Sequence, residues 1–227
     1  MPPIATVHVY SVHGTGMARA VGRMATDRLR LRQASGLRFA KLLGTGDGRS
    51  FSPRDTNLRR WAMFAVWSAT GDADRFDHRC GWTFADETCR FDLGPQRWRG
   101  RWSRRDPFVG LSPVDGANGP IAVVTRARVM ARHWRTFAAA TPPVAAASVG
   151  AAGQRFAMAI GEAPIGLQAT FSVWDDAAAV DAFAYGPAAT AHREVMRRTR
   201  TDGWYAEELF VRFSVLAVTG TVDGRTP

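Results

Sequence analysis

Cysteine, lysine and long apolar runs are scarce in this 227-residue chain, and each scarcity excludes a class of protein. Cys80 and Cys89 are too few for a disulfide framework or a thiolate metal cluster, so we expect a cytoplasmic protein. No apolar run approaches the roughly 20 residues that cross a bilayer as a helix. The N-terminus has no basic region before its apolar stretch, so secretion is not expected. The chain also lacks a G-x-S-x-G nucleophile motif and the short histidine spacings of a zinc or non-haem iron centre.

The charge of the chain is strongly positive, with a formal net charge of +10 that arginine carries almost alone, since Lys41 is the only lysine. Such a charge favours anionic partners: nucleic acid, an acidic membrane surface, an acidic redox protein, or a ligand with phosphate or carboxylate groups. The charge does not choose among them.

The order of predicted elements repeats once along the chain. The sequence RFA at 38–40 recurs at 155–157, and Gly44 recurs as Gly161, both 117 residues later. The pair VW at 66–67 recurs at 173–174, and a short acidic helix is predicted after each. This pattern indicates a duplicated β-α-β-β-α-β unit, a ferredoxin-like half whose open sheet needs a cover. We therefore predict an α+β fold in which two ferredoxin-like halves of one chain build a dimeric α+β barrel. Two separately packed domains are the alternative.

The predicted boundaries follow from the repeat and from composition. We assign residues 1–95 to the first half, 96–118 to a basic linker rich in Trp and Arg, and 119–227 to the second half. The linker prediction rests on the Gly, Pro and Arg content of this stretch and its lack of periodicity.

The stretch 187–213 carries a histidine on a predicted helix. At helical spacing, His192 shares a face with Val195, Met196 and Thr199, whereas the arginines lie mainly on the other side. A lone histidine on an apolar face is more often an ordinary buried residue than a ligand. Haem, however, needs only one axial histidine, a flat apolar slot and cations for its propionates, and this stretch offers all three.

Two other features allow several interpretations. The segment RWRGRWSRR at 97–105 suits base stacking, a membrane headgroup layer, or a solvated loop whose tryptophans fold back onto the body. No recognised nucleic-acid module frames it, so no nucleic-acid partner is expected. Glu207 and Glu208 are adjacent on a predicted strand and so point to opposite faces, which argues against a catalytic pair. Glu208 shares a face with Arg212, and we expect these two to form an ion pair.

Several sequence blocks resemble, in the order in which they occur, those of the spheroidene monooxygenase family, the acyclic-carotenoid 2-ketolases of purple bacteria. The blocks are LRFAKLLGTG, WAMFAVW, RGRW with DPF, GPIAVVTRA, FAMAIGEAPIGLQATFSVWDD and HREVMRRTRTDGWYAEELFVRF. They extend from about residue 37 to residue 220, and the longest lie in the second half.

The resemblance implies an oxygenase that contains haem b (iron) and acts on a terminal carbon of a long apolar polyene. It implies molecular oxygen as co-substrate, electrons from a ferredoxin-type donor, and a fold akin to the dimeric α+β barrels. It also implies an axial histidine on a helix of the second half, which is His192 here, with His133 as the second candidate. We expect a cytoplasmic protein, with peripheral contact at the inner membrane and a homo-oligomer left open.

The predicted site combines the family resemblance with the pattern of the residues. Met196 lies beside the ligand, and Arg197 or Arg200 pairs with a propionate. Four aromatic residues are expected to line the pocket: Phe39, Phe156, Phe171 and Trp174. Gln168 offers a polar contact to bound oxygen. Strand alternation places Gln168 and Phe171 on opposite faces, so this set cannot all line one pocket.

Two alternatives of other classes remain. One is a haem enzyme of the same fold that acts on a small nitrogen- or oxygen-containing substrate as a dehydratase or peroxidase-like catalyst. The other is a non-enzymatic module that holds a lipid or pigment between its sheets.

Overall fold

The computed structural model describes residues 2–46, 55–114, 119–148, 150–162, 167–186 and 190–227, without the side chains of Ala191 and His192. The described residues form eight strands. These are β1 (Ile4–Ser11), β2 (Leu37–Gly46), β3 (Thr56–Trp67), β4 (Glu87–Gly100), β5 (Ile121–Val129), β6 (Gln154–Gly161), β7 (Leu167–Trp174) and β8 (Tyr205–Gly220). Five α-helices accompany them: α1 (Gly16–Arg32), α2 (Thr70–Cys80), α3 (Trp134–Ser148), α4 (Ala177–Tyr185) and α5 (Thr190–Asp202).

The strands close into one antiparallel barrel in the order β1-β3-β2-β6-β7-β5-β8-β4. Exchanging each of β1–β4 with its counterpart among β5–β8 reproduces the same ring, so the barrel has a pseudo-two-fold axis. The axis passes through the β2–β6 junction, where Gly44 pairs with Gly161. It also relates the ends of the β4–β8 ladder, where Gly100 pairs with Leu209 and Cys89 with Gly220. The predicted duplication and the α+β barrel are thus confirmed.

The interior of the barrel is packed with apolar side chains from all eight strands. Phe64 lies at its centre, with its ring centroid 5.3 Å from that of Trp102, 6.4 Å from Phe108 and 6.3 Å from Phe213. The loop after β4 supplies Trp102 and Phe108, which are both fully buried. Aromatic contacts of this kind stabilise the interior of the barrel.

Some element boundaries differ from those that the sequence predicts. Strand β4 begins only at Glu87, after a segment in which the indole N–H of Trp82 donates to the buried Asp27 carboxylate at 2.8 Å. The same strand continues to Gly100, so residues 96–100 are strand and not linker; residues 115–118 of the predicted linker lie outside the described residues. Helix α3 runs on through Pro142 and Pro143 into the Ala-rich tail, whose residues favour helix.

Candidate functional site

The outer face of the second half's sheet carries a row of three small side chains and one phenylalanine. Four residues pair across the strands in sequence, Ala159 with Thr170, Thr170 with Thr125, and Thr125 with Phe210. Thr125 lies in the middle of β5 and is nevertheless exposed, while Thr170 and Phe210 are half-buried. A strand centre is normally covered in a two-layer fold, whereas the described residues leave this row partly uncovered, and we call it the open slot.

The equivalent row of the first half carries bulky side chains and is covered. There Leu42 pairs with Met63, Met63 with His8, and His8 with Arg90. Met63 is 2% exposed and His8 4%. Asp77 of α2 reaches the sheet and accepts from His8 Nε2 at 3.0 Å. The two halves therefore share a backbone plan but differ in the room that they leave above the sheet.

Helix α5 belongs to the half with the open slot. As its spacing predicts, Thr199 is buried and Val195 and Met196 are half-buried, whereas Glu194, Arg197 and Arg200 are exposed. Val195 packs in a cluster with Trp204, Phe137 and Val129. The helix makes its main contacts with α3 and α4 rather than with the strands, which is consistent with a gap beneath it. His192 lies in the first turns of α5, but its side chain falls outside the described residues.

The predicted pocket aromatics divide between two places. Phe39, Phe156 and Phe171 belong to the barrel interior, whereas Trp174 packs on the outer face beside Phe183 of α4, with ring centroids 5.1 Å apart. Gln168 is buried on that outer face too, because its neighbour Ala169 points into the barrel. Of this set, only Gln168 and Trp174 lie on the same face as the open slot.

The other predicted haem contacts lie as follows. Arg197 forms an ion pair with Glu194 at 2.7 Å, and both side chains are more than half exposed. Arg200 is exposed as well. His133 ends a short 3-10 turn before α3, where its Nε2 accepts from Arg132 Nε at 3.0 Å. A propionate would thus compete with Glu194 for Arg197, while Arg200 is accessible.

A buried cluster of charges closes one end of the barrel, and sequence reasoning missed it. Arg126, which is 2% exposed, pairs with Glu207 and lies 3.2 Å from Glu162. Lys41 donates to the other oxygen of Glu162 at 2.5 Å, and the Trp102 indole N–H donates to Glu162 at 2.6 Å. These residues come from five separate parts of the chain, so no local spacing reveals the cluster.

The carboxylates of this cluster stay ionised. Burial opposes ionisation of Glu162, but the hydrogen bonds from Lys41 and Trp102 and the charges of Lys41 and Arg126 outweigh it and lower its pKa. Burial likewise opposes ionisation of Glu207, and hydrogen bonds from Arg104, Arg126 and Ser103 lower its pKa. Neither group is therefore a general acid at neutral pH.

At the opposite end of the barrel, the positions equivalent to Arg126, Lys41 and Glu162 are apolar or neutral. The repeat places Val9 where Arg126 lies, Met158 where Lys41 lies, and Thr45 where Glu162 lies. Thr45 donates only to the Arg60 carbonyl oxygen at 2.8 Å. The charged cluster is therefore a property of one end and not of the fold. Comparing the repeats residue by residue is the signal that could have found it.

Each barrel end carries a tight turn that a glutamate holds. Glu207 accepts from the backbone N–H groups of Ser103 at 2.9 Å and Arg104 at 2.5 Å. Glu87, its counterpart, accepts from those of Asp223 at 2.9 Å and Gly224 at 2.8 Å. Both central residues of each turn have positive φ, which suits Asp-Gly but strains Ser-Arg by roughly 1 kcal/mol or more per residue.

Three further sequence interpretations are settled by side-chain placement. Glu207 points inward and Glu208 outward, as alternation predicts, but the expected Glu208–Arg212 pair is wrong. Glu208 lies 3.3 Å from Arg99, and Arg212 pairs with Asp181 of α4 at 2.6 Å, because α4 covers that part of the strand. Trp102 is fully buried, so this tryptophan of the Trp/Arg segment folds back onto the body.

Other chemistry finds little support in the described part of the chain. Burial and the charge of Glu87 raise the pKa of the Cys89 thiol to about 12, which leaves it unreactive at neutral pH. Among the described residues, no group of three His, Cys, Asp or Glu side chains could hold a metal ion. None of the described helices has the length and apolar character to cross a membrane.

Solved structures support the barrel assignment. The fold superposes on aldoxime dehydratase in complex with butyraldoxime with a TM-score of 0.60, covering 94% of this chain and 79% of that chain. A second crystal structure of an aldoxime dehydratase gives a TM-score of 0.58 and covers 94% of this chain and 81% of that chain. At 9% and 10% sequence identity, these likenesses show the fold alone.

Sequence comparison identifies closer relatives than these structural matches. No family model matches it. It is 37% identical over 196 residues to spheroidene monooxygenase of Rubrivivax gelatinosus, covering 84% of this chain and 73% of that protein. It is 31% identical over 232 residues to spheroidene monooxygenase of Rhodobacter capsulatus, covering 99% of this chain and 95% of that protein. Because the second match extends over nearly the whole length of both proteins, the chain belongs to the spheroidene monooxygenase family.

Proposed function

We propose that this protein is a haem-dependent monooxygenase that oxygenates a terminal carbon of an acyclic carotenoid or a similar apolar substrate. His192 of α5 is the proposed axial ligand, and a ferredoxin-type protein is the proposed electron donor. The family supports the reaction class, and the open slot of the second half supports the proposed position of the cofactor.

The observation that carries the proposal is the open slot of the second half. Ala159, Thr170 and Thr125 stand where the first half has Leu42, Met63 and His8, so each bulky side chain is replaced by a smaller one. The loss of side-chain volume lies along one row, which is the shape that a flat macrocycle requires. The first half is the internal comparison, since Met63 and His8 are buried there on the same backbone.

The residues around the slot fit haem in chemistry as well as in shape. Helix α5 turns its apolar face, with Val195 and Met196, toward the body, and His192 precedes these residues by 3 and 4 positions. Haem bound there would supply an iron at which molecular oxygen is activated. Trp174 and Phe210 would pack against an apolar ligand, and the hydroxyl groups of Thr125 and Thr170 would hold polar atoms in place.

The proposed electron donor fits the charge of the chain. Ferredoxin-type donors are expected to be acidic, and the protein carries a formal net charge of +10. Complementary charge mainly raises the association rate, and salt screens it. Electron transfer from such a donor should therefore slow as ionic strength rises.

Absorption spectroscopy of protein produced with ample haem tests the proposal. We expect a Soret band in the wild-type protein and its loss or shift in His192→Ala. His133→Ala is the matched control and should leave the band unchanged. A band that is unaffected by His192→Ala but lost in His133→Ala would move the ligand to the second candidate, and a colourless wild-type protein would refute haem dependence.

A further inference from the structure

A cleft of about 510 Å³, which we call the arginine cleft, lies on the surface at the barrel end that carries the buried charge cluster. Four arginines line it, Arg38, Arg101, Arg104 and Arg105, together with a single carboxylate, Asp106. Within the described ranges, no carboxylate pairs with the guanidinium groups of Arg101, Arg104 or Arg105. Unneutralised arginines on one surface form a strong site for phosphate or carboxylate groups.

An apolar tip stands at the rim of the arginine cleft. Val109 is 66% exposed, although the neighbouring Phe108 is fully buried in the barrel. Arg38 Nη2 donates to the Val109 carbonyl oxygen at 2.6 Å, which fixes the tip beside the cleft. An exposed apolar side chain beside several arginines is the arrangement of a surface that meets both headgroups and acyl chains.

The cleft is held in place by the buried charge cluster. Glu207 binds the backbone of the strained Ser103-Arg104 turn and also pairs with the buried Arg126. Phe108 anchors the other side of the loop in the core. The arginines therefore project from a rigid base, which lowers the entropy lost on binding.

The pseudo-equivalent cleft at the opposite barrel end is an internal comparison. It measures about 520 Å³ and is lined by Arg155, Arg225 and Asp223 among others. Its charges are largely compensated, because Arg155 pairs with Asp175 at 2.6 Å and Asp223 with Arg60 at 2.5 Å. Excess positive charge is thus not a consequence of the repeat and belongs to one end only.

We propose that the arginine cleft and the Val109 tip are the face with which this protein docks on an anionic phospholipid bilayer. The arginines bind headgroup phosphates, and Val109 enters the acyl boundary. The inference is linked to the proposed function, because an acyclic carotenoid partitions into the bilayer and an enzyme that acts on it must reach the membrane surface.

The apolar tip favours a bilayer over an acidic protein as the occupant. Charge complementarity alone would suit an acidic electron donor equally well. An exposed valine at the rim adds nothing to a purely electrostatic encounter, but it adds apolar burial in a membrane interface. A bilayer can bind both features, because its headgroups bind the arginines and its acyl boundary accepts Val109.

Vesicle co-sedimentation of the full chain tests the docking face. We expect binding to vesicles of phosphatidylcholine with phosphatidylglycerol, little binding to phosphatidylcholine alone, and a decrease as salt rises. Each arginine near an anionic membrane contributes about fivefold in partitioning. The double variant Arg38→Gln/Arg105→Gln should therefore bind about 25-fold more weakly.

The repeat offers a matched control with the same change in net charge. Arg155→Gln/Arg225→Gln alters the equivalent positions of the opposite cleft and should reduce vesicle binding less than about threefold. Val109→Ser should weaken binding, whereas Leu58→Ser, at another exposed apolar position, should not. Equal losses in the two arginine pairs would mean a general charge effect and would overturn the proposal. So would weaker binding of an acidic ferredoxin by Arg38→Gln/Arg105→Gln with vesicle binding unchanged.

Two readouts keep this inference apart from the proposed function. Haem uptake is read from the absorption spectrum of the same variants in solution, where no vesicle is present. Normal haem uptake with lost vesicle binding in Arg38→Gln/Arg105→Gln supports the docking face. Vesicle binding by a protein that takes up no haem would leave the docking face standing and would refute the proposed function alone.

Discussion

Replacement of Arg126 by valine, the residue at the equivalent position 9, would remove the central cation of the buried cluster. Glu207 and Glu162 would then lose the cation that they share. Their side chains are only 11% and 18% exposed, respectively. Removing one member of a buried ion pair costs about 3–5 kcal/mol. Glu162 keeps Lys41, and Glu207 keeps two backbone N–H donors, so we expect about 3 kcal/mol.

Thermal and urea unfolding measure this effect. For a chain of this length, 1 kcal/mol shifts the Tm by about 2–4 °C, so Arg126→Val should lower it by about 6–12 °C. Arg155→Val is the matched control, since Arg155 and Asp175 form an exposed pair, and it should cost less than about 1 kcal/mol.

A triple variant separates the loss of one charge from the loss of the cluster. Lys41→Met/Arg126→Val/Glu162→Thr gives this barrel end the residues of the opposite end. The triple variant removes Glu162 together with both of its cations and leaves Glu207 with its two backbone N–H donors, which is the arrangement of Glu87 at the opposite end, so we expect stability within about 2 kcal/mol of wild type. The reasoning is refuted if the single variant costs less than about 1 kcal/mol, or if the triple variant is less stable than the single one.

Three further outcomes are expected. Thr170→Met installs the bulky residue of the first half, so it should fill the slot and lower haem uptake severalfold in titrations followed by absorption, with little change in Tm; unchanged uptake would place the cofactor elsewhere. The pKa of Glu162 is lower in the folded than in the unfolded protein, so ionised Glu162 stabilises the fold. This stabilisation is fully present above the unfolded pKa of about 4.3 and is lost as the pH falls through the folded pKa. Glu162→Gln should therefore be destabilised at pH 7 and approach wild type below about pH 4 in urea titrations; a constant difference would contradict this. Ser103→Asn/Arg104→Gly relieves the strained turn and should raise stability by about 1 kcal/mol, and a decrease would argue against strain.

The duplication could be predicted from the sequence because short local patterns indicate it. Strand alternation, the RFA and VW repeats and the matched glycines are each visible within a few residues, and together they predict the barrel. The two faces of β7 also follow from alternation, which separates Gln168 from Phe171. Helix α5 was predicted with its apolar and charged faces correctly assigned, because helical spacing alone determines them.

The charged cluster and the ion pairs could not be predicted in the same way. Arg126 and Glu207 are 81 positions apart, and their contact depends on the register of β5 against β8. Arg212 pairs with Asp181 rather than with Glu208 because helix α4 lies over this part of β8. Strand alternation alone does not reveal a covering helix. Such contacts are decided by tertiary packing. They become visible in sequence only when the two repeats are compared position by position.

The direct pairing of Gly44 with Gly161 on the pseudo-two-fold axis has a consequence for how the molecule could change over time. In a barrel made from two identical chains, every substitution appears twice, so a charge introduced at one end is introduced at both. Two halves in a single chain are free of this coupling. One sheet can keep bulky side chains on its outer face while the other acquires smaller ones. Likewise, one barrel end can accumulate arginines while the charges at the other end stay paired. Asymmetry of this kind is available only after the two copies have been joined.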